Sequence, residues 1–384
     1  MPTGIDRVEI AYLKRLVTEP QPLFCLARTK LGYLLLDPVG STQLAELAAD
    51  GRDWGQPDLI SRMTTHKPGM RERAESSLRR LAASRCLPTG LESMLRGMLP
   101  AQTVYLNVGH SNLSNRVLSA TKKIGPVSIL IHDTIPLDHP EYQRQGTPEK
   151  FREKLRIVGK FADLVIYNSA HSRARAEHHM RAWGRIPSHI VSHLGIELVD
   201  PVEFSAEINP KQPFFLSIGT IEPRKGHDLL LDVWELLEKR LGPKTPQLLI
   251  CGSRGWNNKP VFDRLEALPP DGHISEISGL SDAAVAALMT RASALLFPSR
   301  AEGFGLPPVE AAARQLPVIA SDLAVLHEVL GDIPVYLSAT DRYQWLNMVE
   351  KYSGMAPGEN WKKTGPKFVS PSWDAHFKIV LRFT

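Results

Sequence analysis

Two stretches of this 384-residue chain combine glycine-opened backbone with charge in an order that suits phosphate chemistry. The first is Gly219-Thr220-Ile221-Glu222-Pro223-Arg224-Lys225-Gly226-His227. It follows the apolar run 214–218 and precedes a helical stretch. A glycine at a strand end lets backbone approach a ligand closely, and a helix N-terminus favours anions. Arg224 adds a bidentate phosphate fork, and Lys225 adds a point charge. The second is Ser299-Arg300-Ala301-Glu302-Gly303-Phe304-Gly305-Leu306-Pro307-Pro308-Val309-Glu310. Its carboxylates, Glu302 and Glu310, are separated by seven residues. The proline pair suits a helix start, so the amides of Gly303, Phe304, Gly305 and Leu306 lie at a positive helix end. Glu310 then sits where an acidic side chain can accept hydrogen bonds from ribose hydroxyls. Read singly, the first motif is equally a solvated turn, and Glu310 equally an ordinary carboxylate of a first helical turn.

The elements that must position these residues are α/β layers. Short apolar runs alternate with amphipathic stretches, the pattern of parallel sheets covered by helices. In the first half the pattern predicts strands over 103–108, 127–132, 164–168 and 189–193, with helices over 8–18, 71–83, 150–161 and 170–183. In the second half it predicts strands over 214–218, 248–251, 274–277, 295–297 and 318–320. Helices are predicted there over 228–240, 282–291 and 308–314, and a last amphipathic helix over 372–384. Residues 197–213 carry three prolines and little apolar periodicity, so a linker over 199–212 divides a domain over 1–198 from one over 213–370, with 371–384 as a separate helix. No strand-like run precedes Thr3-Gly4-Ile5-Asp6-Arg7-Val8, although a doubly wound domain normally opens with one. That implies a chain that starts late, or an edge supplied by a neighbouring segment or subunit.

Composition narrows the class. The apolar share is 43% and the charged share 23%, ordinary for a globular protein, which excludes collagen-like, disulfide-scaffold and bulk-disordered chains. Three scattered cysteines give neither a disulfide framework nor a zinc spacing, and no run reaches the length of a membrane span. A cytoplasmic protein is expected. Residues 1–200 hold 27 Lys and Arg against 20 Asp and Glu, whereas residues 201–384 hold 19 against 21. The positive excess lies entirely in the first half and favours an acidic partner. Part of it falls over 62–85, with seven basic and two acidic residues around an amphipathic segment, a composition that suits either a solvated face or anionic lipid.

Taken together, Gly-Thr-x-Glu-Pro-Arg-Lys-Gly and Glu-Gly-Phe-Gly-Leu-Pro-Pro-x-Glu-Ala resemble the C-terminal half of retaining glycosyltransferases of family 4, over residues 213–330. The resemblance implies GT-B architecture: two Rossmann-like domains facing across a cleft, with a C-terminal helix crossing back to the first. It implies that Arg224 and Lys225 clamp a donor diphosphate, that Glu302 lies near the donor sugar and that Glu310 binds the ribose. Gly219, Gly303, Phe304, Gly305 and Leu306 complete the donor loops. Thr3-Gly4-Ile5-Asp6-Arg7-Val8-Glu9 is similar to the family's first glycine turn, which assigns Gly4 to the donor phosphates. Ile131-His132-Asp133-Thr134-Ile135-Pro136 is similar to the His-Asp-x-Ile-Pro segment of bacterial polysaccharide glycosyltransferases. His132 is thereby assigned to a donor sugar hydroxyl, with Asp133 and His110 as acceptor-side candidates. Cys251-Gly252-Ser253-Arg254-Gly255-Trp256 resembles mannosyltransferase relatives, which makes Arg254 a third cation for the diphosphate and GDP-mannose the first donor to test.

The expected activity is hexosyl transfer with retention, from a nucleotide-sugar to a glycan or lipid-diphosphate-linked acceptor in polysaccharide synthesis such as that of lipopolysaccharide. No Asp-x-Asp motif occurs, so neither metal nor other cofactor is expected. A peripheral contact with the inner membrane face is a further expectation, and no nucleic-acid partner is expected. The competing readings are a UDP-sugar transferase, a nucleotide-sugar epimerase, and a non-enzymatic nucleic-acid or scaffold protein. The last lacks any helix-turn-helix, zinc or aromatic-basic signature.

Overall fold

The computed structural model describes residues 4–49, 54–64, 69–202, 213–354 and 368–384. Most of the linker expected over 199–212, and part of the basic stretch 62–85, lie outside the described residues. The described chain opens with α1 (Gly4–Leu16), and among the described residues no strand precedes it. A small antiparallel sheet follows in the order β1-β2-β3: β1 (Cys25–Arg28), β2 (Tyr33–Leu36) and β3 (Ser84–Cys86). Between β2 and β3 run α2 (Pro38–Ala49), α3 (Leu59–Thr64) and α4 (Met70–Leu81).

The rest of the first lobe is a parallel sheet, β4-β5-β6-β7, with helices between strands. Its elements are α5 (Leu91–Met98), β4 (Tyr105–Asn107), α6 (Asn115–Lys122), β5 (Val127–Ile131), α7 (Ile135–Asp138), α8 (Thr147–Phe161), β6 (Leu164–Tyr167), α9 (Ala170–Arg181) and β7 (Ser188–Val191). All five residues of β5 are buried, as an apolar run flanked by parallel neighbours must be. Ser114 and Ser169 cap α6 and α9 by accepting a backbone N–H from Val117 and Ser172.

The second lobe is a six-stranded parallel sheet in the order β10-β9-β8-β11-β12-β13. Its elements are β8 (Phe214–Ile218), α10 (His227–Leu241), β9 (Gln247–Cys251), α11 (Lys259–Glu266), β10 (Ile274–Ile277), α12 (Asp282–Arg291), β11 (Ala294–Phe297), α13 (Leu306–Ala313), β12 (Val318–Ser321), α14 (Ala324–Leu330), β13 (Val335–Leu337) and α15 (Arg342–Ser353). Strand order reverses between β8 and β11, and the crevice at that switch point is where such sheets bind ligands. Both motif loops leave the C-terminal ends of these two strands.

The last helix, α16 (Trp373–Phe383), packs on the first lobe. His376 shares a 2.7 Å hydrogen bond with the Tyr12 hydroxyl of α1 and a 3.0 Å bond with the His193 carbonyl. Tyr12, Phe377 and Val380 are almost fully buried in one apolar cluster with Leu194 and Phe304, so that cluster continues from lobe to lobe. Among the described residues no helix is long and apolar enough to cross a membrane.

Candidate functional site

Strand β8 delivers Gly219 to the crevice with φ +142°, and a Cβ there would lie 3.4 Å from Lys225 Cε. The positive φ is what calls for glycine there, and Lys225 folds back over the strand end within ordinary contact of it. The following turn is held by Ile221 N–H donating to the Ser253 carbonyl at 2.9 Å. Residues Pro223–Lys225 form a single 3-10 turn. It carries Arg224 and Lys225 to Glu302, which arrives on the loop after β11. Lys225 Nζ donates to Glu302 Oε1 at 2.6 Å, and Arg224 Nη1 lies 3.1 Å from the same oxygen. Arg224 also contacts Glu222 at 2.7 Å and donates to the Ala301 carbonyl at 2.9 Å.

Burial controls the electrostatics of this cluster. Buried charges persist only when paired and hydrogen-bonded. Burial pushes Glu302 up, but Lys225 and Arg224 more than offset it and hold its carboxyl at about 2. Burial also works against Arg224, yet Glu302 and Glu222 raise it above its ordinary value. Burial lowers Lys225, with Glu302 opposing. Glu222 Oε2 is buried without a hydrogen-bond partner. Near neutral pH Glu302 is ionised and faces Arg224 and Lys225, with Glu222 on the far side of the guanidinium.

The N-termini of α13 and α1 meet across the crevice. Leu306 Cδ1 lies 3.6 Å from where a Cβ on Gly4 would be, so two positive helix ends converge. Glu310, on α13, forms an ion pair with Arg7 of α1. Burial raises Glu310, while Arg7 draws it down. The predicted ribose ligand is thus held by an arginine of the opposite lobe. Gly305 adopts φ +90° at the start of α13.

The first lobe closes the crevice with the end of β5. A Cβ on Gly303 would fall 2.6 Å from the His132 carbonyl and 2.8 Å from Asp133 Cβ, so only glycine fits there. Ser169 and Ser172 hydroxyls donate to the Gly303 carbonyl at 3.3 and 3.2 Å. Asp133 is buried, which raises its carboxyl, and its Oδ1 accepts the Ile135 N–H at 3.0 Å. Arg224 and Glu302 both act on it electrostatically, which places it with the cluster. His132 is buried and held at about 4, so it is neutral near pH 7. Its Nε2 lies 2.6 Å from the Val108 carbonyl and must carry the proton, leaving Nδ1 as an acceptor. His110 Nε2 accepts the backbone N–H of His132 at 3.3 Å, and the two rings lie 5.1 Å apart.

Two expected donor contacts lie elsewhere. Arg254 does not join the Arg224–Lys225 cluster. It forms hydrogen bonds to Glu276 at 2.9 and 2.8 Å, pairs with Glu266 and lies over Phe262. The parallel pairing of β10 with β9 brings Glu276 within reach, and that carboxylate captures the guanidinium. Phe304 is 4% exposed, packs in the apolar cluster and meets the His193 ring edge-on, so only its backbone is left for a donor.

Several residues of the crevice carry no signal by type and spacing. Glu328 of α14 accepts N–H bonds from Ala170 and His171 at 2.6 and 2.9 Å and pairs with His193 at 3.0 Å. The Trp256 indole donates to the Tyr142 carbonyl at 3.0 Å, with Arg144 over its ring. Both contacts cross between lobes that are far apart in sequence. Arg7 stood within a motif already singled out, but nothing local named Glu310 as its partner. Among the described residues no group of three or more His, Cys, Asp or Glu converges as metal ligands.

Comparison with known proteins agrees with this geometry. Residues 200–333 match the family of glycosyl transferases group 1. The serotype-specific mannosyltransferase WbdA of Escherichia coli is 32% identical over 229 residues, covering 54% of this chain and 27% of that protein. The O-antigen chain mannosyltransferase B of the same organism is 34% identical over 130 residues, 34% of each chain. The chain thus spans about a quarter to a third of the length of these curated relatives. The crystal structure of TarM aligns with a TM-score of 0.57 at 14% identity, covering 80% of this chain and 60% of that one. Anabaena HepE, solved with UDP-glucose, aligns with 0.57 at 14% identity over 94% and 91%. The second lobe is thus similar to glycosyl transferases group 1, and the fold is of the GT-B type.

Proposed function

We propose that the protein is a retaining hexosyltransferase that moves a sugar from a nucleotide-sugar to a glycan or lipid-linked glycan in bacterial polysaccharide synthesis. The observation that carries this reading is the buried Arg224–Lys225–Glu302 cluster at the β8–β11 switch point, facing the converging ends of α1 and α13. The mannosyltransferase names of the relatives favour mannose, with GDP-mannose as the first donor to test. A location at the cytoplasmic face of a membrane fits the same acceptor class.

The bond from the anomeric carbon to the diphosphate oxygen breaks, and the electron pair stays on that oxygen. Charge growing there is stabilised by Arg224, Lys225 and the two helix ends, more strongly in the transition state than before it. Positive charge from the protein makes a metal unnecessary in this reading, so a chelator leaves the rate unchanged. The acceptor oxygen attacks the face that the diphosphate leaves, and its proton passes to the departing phosphate oxygen. No separate base is then required. Glu302, already ionised, orients the sugar and balances its two cations, while His132 Nδ1 accepts from a sugar hydroxyl. Glu310 then turns from Arg7 of the opposite lobe to the ribose, which couples donor binding to how the lobes meet.

The test is a thermal-shift panel of GDP-, UDP-, ADP- and dTDP-sugars, because a ligand that binds the native state raises its stability. A shift with one nucleotide class, lost in Lys225→Ala, supports the reading. No shift with any of them overturns it.

A further inference from the structure

The first lobe contains a recess of about 410 Å³ between the β1–β2 turn and the first turn of α6. Arg28, Thr29 and Lys30 line one side, and Ser114, Asn115 and Arg116 the other. No carboxylate lines it. Arg28 and Arg116 are exposed, and neither has an ion-pair partner among the described residues. Lys30 reaches Glu72 of α4 at 3.0 Å, so one carboxylate stands near three cations. Of the first-turn amides of α6, that of Val117 is taken by the Ser114 hydroxyl, which leaves those of Asn115 and Arg116 without intrahelical acceptors. The turn itself is fixed: Thr29 N–H donates to the Gly32 carbonyl at 2.8 Å, and a Cβ on Gly32 would strike the Cys86 carbonyl of β3.

A second basic recess shows what makes this one different. At 102, 122–126 and 163, Lys122 pairs with Asp163 and Lys123 with Glu92 at 2.7 Å, so its charge is neutralised internally. The recess at β1–β2 keeps its charge. It also adjoins the crevice. Lys154, whose charge is disfavoured by burial and by Arg28, donates to the His110 carbonyl at 3.1 Å, and His110 stacks edge-on against His132. A volume of this order holds more than a lone ion and lies in the range of small-ligand sites, roughly 300–1,000 Å³.

We propose that this recess is a second anion site, on the acceptor-side lobe, that binds a phosphate or diphosphate group carried by the acceptor. Arg28 and Arg116 grip the phosphate oxygens, and the α6 amides add hydrogen bonds. The assignment of the group to the acceptor rests on the transferase reading; the anion site does not.

The experiment is calorimetric titration of the full chain with inorganic pyrophosphate. Wild type should bind at two sites, Lys225→Ala at one, and Arg28→Gln/Arg116→Gln at the other one only. The double variant's affinity at the recess should fall about tenfold or more, as expected for losing charged hydrogen bonds, while its nucleotide-sugar thermal shift stays unchanged. Unaltered pyrophosphate stoichiometry and affinity in the double variant overturns the site, as does a single Lys225-dependent site in wild type. Vesicles of phosphatidylcholine with and without phosphatidic acid separate the sources. Loss of acidic-vesicle binding in the double variant assigns a lipid-borne phosphate, and loss confined to pyrophosphate assigns a soluble one. If no nucleotide-sugar binds yet the two proteins still differ with pyrophosphate, the transferase reading fails and the anion site stands.

Discussion

On the donor face, Arg224 and Lys225 are held by Glu302 and Glu222 in a buried cluster; on the first lobe, Arg28 and Arg116 project into a recess that no carboxylate lines. Depth explains the difference. A charge removed from water needs a partner within the protein, whereas an exposed guanidinium is satisfied by solvent. In the proposed reaction the donor face is therefore a preorganised cluster in which an incoming diphosphate competes with internal carboxylates. The recess offers attraction without competition, but with water and salt between the charges.

Breaking the donor cluster should have the largest effect. Lys225→Ala and Glu302→Gln should each lower single-turnover transfer by about 10²–10³-fold, the usual cost of losing one preorganised group at developing charge. Arg116→Gln should leave the chemical step unchanged at saturating acceptor. Rapid-quench measurement with a labelled donor separates the two, and equal losses in all three variants would erase the contrast.

Stability should follow the same division. Glu302→Ala leaves two buried cations short of a counter-ion and should cost about 3 kcal/mol in urea unfolding. Arg116→Gln should stay within about 0.5 kcal/mol. Glu302 also gives the sign of the acid response. Its folded value of about 2 lies below the ordinary 4.5, so its stabilisation is complete above 4.5 and is lost as pH falls through about 2. Glu302→Gln should flatten the unfolding free energy across that window.

How the sequence registers these two regions explains what it could reveal. Phe214–Ile218, Ile274–Ile277 and Asp282–Arg291 have the predicted bounds, because apolar residues at both strand ends and a serine cap mark them locally. The donor cluster is legible because both loops leave adjacent strands and carry glycine at the required turns. The recess is not. Its lining comes from the end of the four-residue β1, the β1–β2 turn and the first turn of α6, none of which apolar periodicity marks. Arg254 stands apart from the Arg224–Lys225 cluster for a related reason: spacing shows that a cation follows β9, but not that Glu276 on the neighbouring strand takes it. The Arg7–Glu310 pair spans 303 positions and depends on how the lobes meet.

That pair offers a sharper probe of the donor face. If Glu310 changes partner from Arg7 to a ribose, Glu310→Gln should weaken nucleoside diphosphate binding about tenfold, as for a hydrogen bond to a charged acceptor. With a 2′,3′-dideoxy nucleotide the penalty should vanish. An equal penalty for both nucleotides would make Glu310 a fastening between lobes and nothing more.

The smallest effect expected is in salt dependence, and it tests the comparison most directly. Exposed charges are screened over about 10 Å at 0.1 M ionic strength, buried ones far less. Pyrophosphate binding measured in Lys225→Ala reports the recess alone, and in Arg28→Gln/Arg116→Gln it reports the donor face alone. Raising sodium chloride should weaken the first more steeply than the second, because Arg28 and Arg116 meet their ligand through solvent while Arg224 and Lys225 meet theirs within the closed crevice. Parallel slopes would mean that the donor face opens to water when its ligand enters, and that the depth separating the two regions does not survive binding.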